Sequence, residues 1–387
     1  MRIRVGKRLG RRVAALSPLP LSVLACALCL SGAAAAVPPC QPGPTTTCAG
    51  DGRAGGARAY RASARDAALM SDLPWLRPVL PDVSRRRQVA ETSSCARPYD
   101  PLSPWNTPIP AKPSLMKGSA AFVQAIADNG LPLTSDVDQY TIAVYTTGAD
   151  TPLRTIKLSG WFSSYDAGDN SRVGYGFAPT ISAVPIPRDA SPAAGSDGQM
   201  VFWDPRTGVE YGFWRVTKDA AGNYTAQNGY RYHTVAGYHG RFADGKAGRG
   251  AGLPYLAGLV RPCEFAQGRI EHALAFAYKS PSRSFVYPAS KSDGLGVLGV
   301  DIPEGARLQL DPALGEADFD RWGLSSEARV VARALQTYGM YVVDTSGSSK
   351  LFVEARQTAG WGSSIGRDLV SRIPWAYLRV VAAPPAP

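Results

Sequence analysis

From about residue 140 onward, short segments alternate apolar with polar positions and are rich in β-branched and aromatic residues: YTIAVYT, RTIKLSG, MVFWD, VEYGFWRV, LAFAY, RLQL, MYVVD, KLFVE and YLRVV. A two-residue period sends one face of each segment toward a core and the other toward solvent, as in half-buried strands. Turn signals separate the segments, among them Asp197-Gly198, Asp244-Gly245, Asp293-Gly294 and DPRTG at 204–208. The pattern predicts a mainly β domain, an antiparallel β-sandwich or jelly roll with two short helices. The first helix is SAAFVQAIADNG, capped by Ser119 and stopped at Gly130. The second is SSEARVVARALQTYG, capped by Ser325 or Ser326, with Val330, Ala334, Leu335 and Tyr338 on one face and Gly339 at its end.

The flanks of this region follow other rules. Residues 1–36 read as a secretory signal, with six Lys/Arg in MRIRVGKRLGRR, an apolar run in SVLACALCLSGAAAA and an A-x-A ending near Ala36. The run is too short for a retained membrane span. Arg11-Arg12 and Cys26 do not extend into a twin-arginine or lipidation motif. Residues 37–94 are Pro, Gly, Ala, Arg and Ser with few large apolar side chains, a composition that cannot offset its ordering entropy, and they are expected to form a disordered tether. The globular domain then spans 95–381, and 382–387 form a Pro/Ala tail.

Charge and cysteine content refine the picture. The net charge of +11 includes the six positives of the signal; without them 36 Lys/Arg face 31 Asp/Glu, and from Cys95 onward 28 face 26. A nearly neutral domain argues against a nucleic-acid partner, which needs positive charge concentrated where phosphates lie. Beyond Cys26 and Cys29, four cysteines remain, an even number suited to an oxidising compartment. Of three connectivities, Cys40 with Cys48 and Cys95 with Cys263 is favoured, because the second pair closes a long loop and pins the start of the domain to its middle. The expected product is a secreted, extracellular monomer.

Two motif matches fail on their surroundings. GRFADGKA at 240–247 fits G-x-x-x-x-G-K but puts Ala247 where a magnesium-binding hydroxyl belongs, and the glycines at 248, 250 and 252 oppose the required helix. GSSIG at 362–366 fits G-x-S-x-G, yet all three histidines precede Ser364, so the hydrolase order of triad residues is impossible.

GLPYLAGLVRPCEFAQGRIEHALAFAY at 252–278, with DIPEGARLQL and ARVVARALQTYGMYVVD, resembles a group of secreted bacterial proteins largely described as hypothetical. The resemblance covers roughly residues 195–355 and implies no particular activity. Members of that group tend to have Asp-Gly-His where this chain has Asp197-Gly198-Gln199.

Candidate chemistry comes from strand faces. In VEYGFWRV, alternation groups Glu210, Gly212 and Trp214, a carboxylate, a gap and an indole that suit a sugar ring stacked on Trp214 with its linkage near Glu210. Gln199 and Trp203 on the preceding segment join it as substrate contacts. In Tyr230-Arg231-Tyr232-His233, Arg231 and His233 share a face; a cation beside the imidazole favours a neutral base, Tyr232 supplies an acid and Arg231 neutralises a uronate. His239 lies among glycines as a loop residue over a groove, and His272, in line with Ile270, Leu274 and Phe276, reads as a satisfied core histidine. The three histidines lack diagnostic metal spacing, and no cofactor is expected beyond a structural calcium. The expectation is a secreted carbohydrate-active enzyme cleaving extracellular polysaccharide. Glu210 and Glu271 serve if it is a hydrolase, and His233, Tyr232 and Arg231 if it is a lyase. The alternative is a non-catalytic glycan-binding protein.

Overall fold

A computed structural model describes residues 95–159, 180–242 and 248–383. The signal, the tether, the Cys40–Cys48 pair and the last four residues of the tail lie outside the described residues, as does most of the 240–247 motif.

In chain order the elements are α1 (Ser119–Ala127), β1 (Thr134–Asp136), β2 (Ile142–Thr146), β3 (Leu153–Leu158), β4 (Thr180–Pro185), β5 (Gln199–Asp204), β6 (Val209–Trp214), β7 (Thr217–Lys218), β8 (Tyr224–Ala226) and β9 (Asn228–His233). They continue with α2 (Pro262–Ala266), β10 (Leu274–Tyr278), β11 (Ser282–Phe285), β12 (Pro303–Glu304), β13 (Arg307–Leu310), α3 (Glu316–Trp322), α4 (Ser326–Thr337), β14 (Met340–Thr345), β15 (Lys350–Phe352), α5 (Arg356–Ala359) and β16 (Leu378–Val381). Strand residues outnumber helical ones, as the alternation predicted. The sheets, however, are mixed: β1·β15, β10·β14, β2·β5, β3·β8 and β11·β12 pair parallel. Five α-helices occur among the described residues, where two were expected.

The architecture is layered. A six-stranded sheet, β1-β15-β10-β14-β13-β16, carries helices on one face and a four-stranded sheet, β2-β5-β6-β9, on the other. The residues of β10 and β14 divide between the two sides. Leu274, Phe276, Met340 and Val342 meet the helical core, with Phe122, Phe319, Val331 and Leu335. Ala275, Ala277, Tyr341 and Val343 meet the second sheet, where small alanines let the layers approach. The outer face of the four-stranded sheet buries Met200, Phe202 and Phe213 against a small sheet, β4-β3-β8-β7. Because β5 and β14 are covered on both faces, they read as nearly continuous apolar runs.

Local signals succeed at one helix and fail at the other. Ser325 caps α4, its hydroxyl accepting from Ala328 N at 3.2 Å, and Gly339 leaves the helix end at φ 66°. The buried residues of α4 are Ala328, Val331, Ala332, Ala334, Leu335 and Gln336, so Ala334 and Leu335 face the core as expected, while Val330 and Tyr338 are only half-buried. At α1 the cap position is Gly118, in the left-handed region at φ 86°. Ser119 instead turns its hydroxyl to accept from Val380 N at 2.8 Å and so ties β16 to the helix.

The Cys95–Cys263 disulfide is present and joins the first described residue to α2 across a sequence separation of 168. Closing so long a loop restrains the unfolded chain strongly. The Cys95→Ser/Cys263→Ser variant is expected to lose about 2–5 kcal/mol of stability in denaturant titration.

Candidate functional site

The strands that carry most of the sequence candidates are neighbours. β6 pairs antiparallel with β9, with Glu210 opposite Tyr232 and Val209 opposite His233. Opposed residues share a face, so Glu210, Trp214, Tyr230 and Tyr232 point to one side and Arg231 and His233 to the other. The lyase trio is therefore split by the pleat.

The face bearing Glu210 is an inter-sheet interior rather than an open groove. Glu210 is fully buried, and its carboxylate accepts from Tyr99 OH at 2.8 Å, Tyr230 OH at 2.5 Å and Leu256 N at 3.1 Å. Burial raises its pKa, while these three donors pull the other way. The gap at Gly212 is occupied: a Cβ there would lie 2.2 Å from Tyr230 Cζ. Tyr230 also accepts from Tyr255 N at 2.5 Å. Tyr232 is buried, donates to Arg241 O at 3.0 Å, and has its pKa pushed far up by desolvation. Trp203 is buried with its indole N–H on Thr234 Oγ1 at 3.0 Å and the Arg261 guanidinium 5.3 Å above its ring. These are load-sharing groups of the core, without access to a substrate.

The remaining histidine and glutamate candidates are dispersed. Glu271 is exposed and pairs with Arg269 at 3.3 Å. His272 is a core residue as expected, with Nε2 2.6 Å from Glu264 Oε1 and Nδ1 2.8 Å from Ala273 O. Burial opposes ionisation of Glu264, yet His272 and Arg261 hold its pKa below the usual value. His233 is half-buried with its ring 4.9 Å from that of Tyr238, and His239 lies in the loop that follows. Among the described residues no three His, Cys, Asp or Glu side chains converge as a metal site.

Trp214 and Gln199 have a different setting. Both line a cavity of about 670 Å³ where the end of the four-stranded sheet meets an edge of the six-stranded one. Gln199 opens β5, Trp214 closes β6 and Asn228 opens β9; opposite them stand Asp136 of β1, Asp344 of β14 and Lys350 of β15. Arg249 and Tyr255 supply a third wall. Arg249 is buried, donates to the carbonyls of Pro254, Tyr255 and Ala257, and lies 4.8 Å over the Phe352 ring. No local pattern groups these charges: Asp344 ends an apolar run and Lys350 begins one, while Asp136 and Arg249 stand in polar and glycine-rich segments. The one signal was that the ARVVARALQTYGMYVVD signature ends on Asp344.

Two features make this wall chemically competent. Gln199 Oε1 and Arg249 Nε are buried polar atoms with no hydrogen-bond partner, an acceptor and a donor in the lining of one cavity. Such atoms are costly unless something satisfies them. In addition, burial and the neighbouring Asp293 push the Asp344 carboxyl up to about 7, against the opposing pull of Arg249 and Lys291. Burial likewise lowers the Lys350 pKa, with Asp136 and Asp344 countering it. Asp197 stands beside Trp214, accepting its indole N–H at 3.4 Å.

Glu210→Ala is expected to cost on the order of 3 kcal/mol in denaturant titration, because it strands three buried donors. In comparisons with protein-family models, with curated proteins and with solved structures, nothing matches this chain.

Proposed function

We propose that the protein is a secreted hydrolase that cleaves an extracellular polysaccharide bound in the cavity beneath Trp214, acting as a monomer. The observation that carries this reading is one cavity lined both by the Trp214 indole and by the Asp344 carboxyl, which is poised near neutrality. Sugar hydroxyls both donate and accept, which suits the polar lining of this cavity, and a pyranose face stacks on Trp214.

Asp344 then serves as general acid toward the glycosidic oxygen, since a group with pKa about 7 is half-protonated at neutral pH. Asp197 is the partner carboxylate on the indole side. The two carboxyl groups must lie about 5–10 Å apart across the scissile bond. Elimination is disfavoured, because Arg231 and His233 are separated from Tyr232 by the sheet.

Incubating the full chain with a panel of polysaccharides should release reducing ends without ultraviolet absorbance from unsaturated uronates. Asp344→Asn should lower the rate at least about 100-fold, and Trp214→Ala should weaken retention on the responding glycan about tenfold. Retention without cleavage would instead favour the non-catalytic glycan-binding reading, and neither retention nor cleavage would remove both.

Asp344 also ties function to stability. The folded protein holds its proton up to about pH 7, whereas the unfolded chain releases it above about pH 4. Stability is therefore lost as pH rises between those values, and no further above them. Asp344→Asn is expected to raise the melting temperature at pH 8 by on the order of 3 °C and to leave it unchanged at pH 4.

A further inference from the structure

Asp344, the proposed acid, has two further carboxyl groups close to it. Asp293 stands with it in the cavity wall, and the two side chains meet at Gly250. The Gly250 amide faces the Asp344 carboxyl, and a Cβ on Gly250 would lie 2.4 Å from Asp293 Oδ1, so the missing side chain is what gives the Asp293 carboxyl its place. Thr345 holds the pair from another side. Its hydroxyl donates to Asp293 Oδ2 at 3.1 Å and its amide donates to Asp344 Oδ1 at 3.1 Å. Asp293 is thus kept beside Asp344 although it is itself exposed to solvent.

The second group is Glu304, on β12 behind Asp293. It is fully buried, its Oε2 accepts from Asp293 N at 3.3 Å, and its carboxyl also meets the Asp293 carboxyl. Among the described residues Glu304 Oε1 has no hydrogen-bond partner. Two carboxyl groups in contact do not both ionise, and a buried acceptor without a donor is costly. One proton answers both problems: carried by Glu304, it turns an unpaired acceptor into a donor toward Asp293. Burial, and then the charges of Asp293 and Asp344, push the Glu304 pKa up to about 10, so the proton stays on the buried partner and the charge on the solvated one.

This distribution decides how the pair acts on Asp344. A charge fixed on Asp293 opposes a second charge on its neighbour. Arg249, Lys291 and Lys350 also act on Asp344 and favour its ionised form, and the Tyr255 hydroxyl near it is held neutral by burial. Burial of Asp344 and the Asp293 charge outweigh the cations.

We infer that Asp293, anchored by the proton that Glu304 donates to it, is the positioning residue that keeps Asp344 in its acid form. The inference rests on the reading of Asp344 as the general acid, but its first measurement needs no turnover.

That measurement is a carboxyl carbon-13 NMR titration of the full chain, with the Asp344 signal identified by its absence from Asp344→Asn. The Asp344 midpoint is expected near pH 7, and is expected to fall by at least about half a unit in both Asp293→Asn and Asp293→Ser. Glu304→Gln keeps the shape and a donor but removes the titration, so it should leave the Asp344 midpoint in place, its fold being checked by melting temperature. During cleavage of a responding polysaccharide, the alkaline limb of the pH-rate profile should move down in Asp293→Asn by as much as the NMR midpoint does. An Asp344 midpoint that stays put in both Asp293 variants would overturn the inference. So would a midpoint lowered by Glu304→Gln, because Glu304 would then carry charge. A midpoint that falls as expected in a chain that cleaves nothing would uphold the hold of Asp293 on Asp344 and remove the hydrolase.

Discussion

A carboxylate placed between two β-sheets sets the terms for much of this structure. Glu210 is fully buried, and isolated in a low-dielectric interior it would cost several kcal/mol. Its three donors come from separate parts of the chain: Tyr99 from the segment ahead of α1, Tyr230 from β9 and the Leu256 amide from the turn that Arg249 clamps. Satisfying one charge therefore fixes the N-terminal segment, the four-stranded sheet and a wall of the cavity in a single arrangement. The tyrosines pack edge-on with Phe242 and with one another, so the same side chains carry apolar burial and polar registry.

What could be read from the sequence divides along physical lines. Strand positions were legible because the two-residue period is a local property, and the α4 cap was legible because Ser325 acts on an amide three residues away. Cys95 and Cys263 were legible as a pair because only a few pairings were available. Ser119 misled because its hydroxyl serves a strand 261 residues away, which no local rule anticipates. Glu210 misled for a related reason. Alternation places it opposite Phe213 and Tyr211 correctly, but says nothing about whether the other face meets water or a second sheet. Gly212 looked like space for a ligand and is space for Tyr230.

The cavity was half-visible for the same reason. Trp214 and Gln199 stand at strand ends that line the cavity, while Trp203 and Glu210, further in, are sealed. Asp344 and Lys350, close in sequence, meet Arg249 only once a segment far from them along the chain is brought in. Their altered ionisation is a product of that convergence and of burial, neither of which composition records. Of the proposed site, the aromatic platform was thus readable and the acid was not.

Trp105 has a consequence for how the chain can acquire its structure. Its ring sits 5.1 Å from that of Tyr341 and its carbonyl accepts from Ala273 N, while β1 lies beside β15 and β13 beside β16. The earliest folded residues thus have their partners near the end of the chain, and loop-closure entropy must be overcome before these contacts repay it. A core of such high contact order forms late and slowly. Until its last strand is available the six-stranded sheet cannot close, a kinetic delay written into the topology itself.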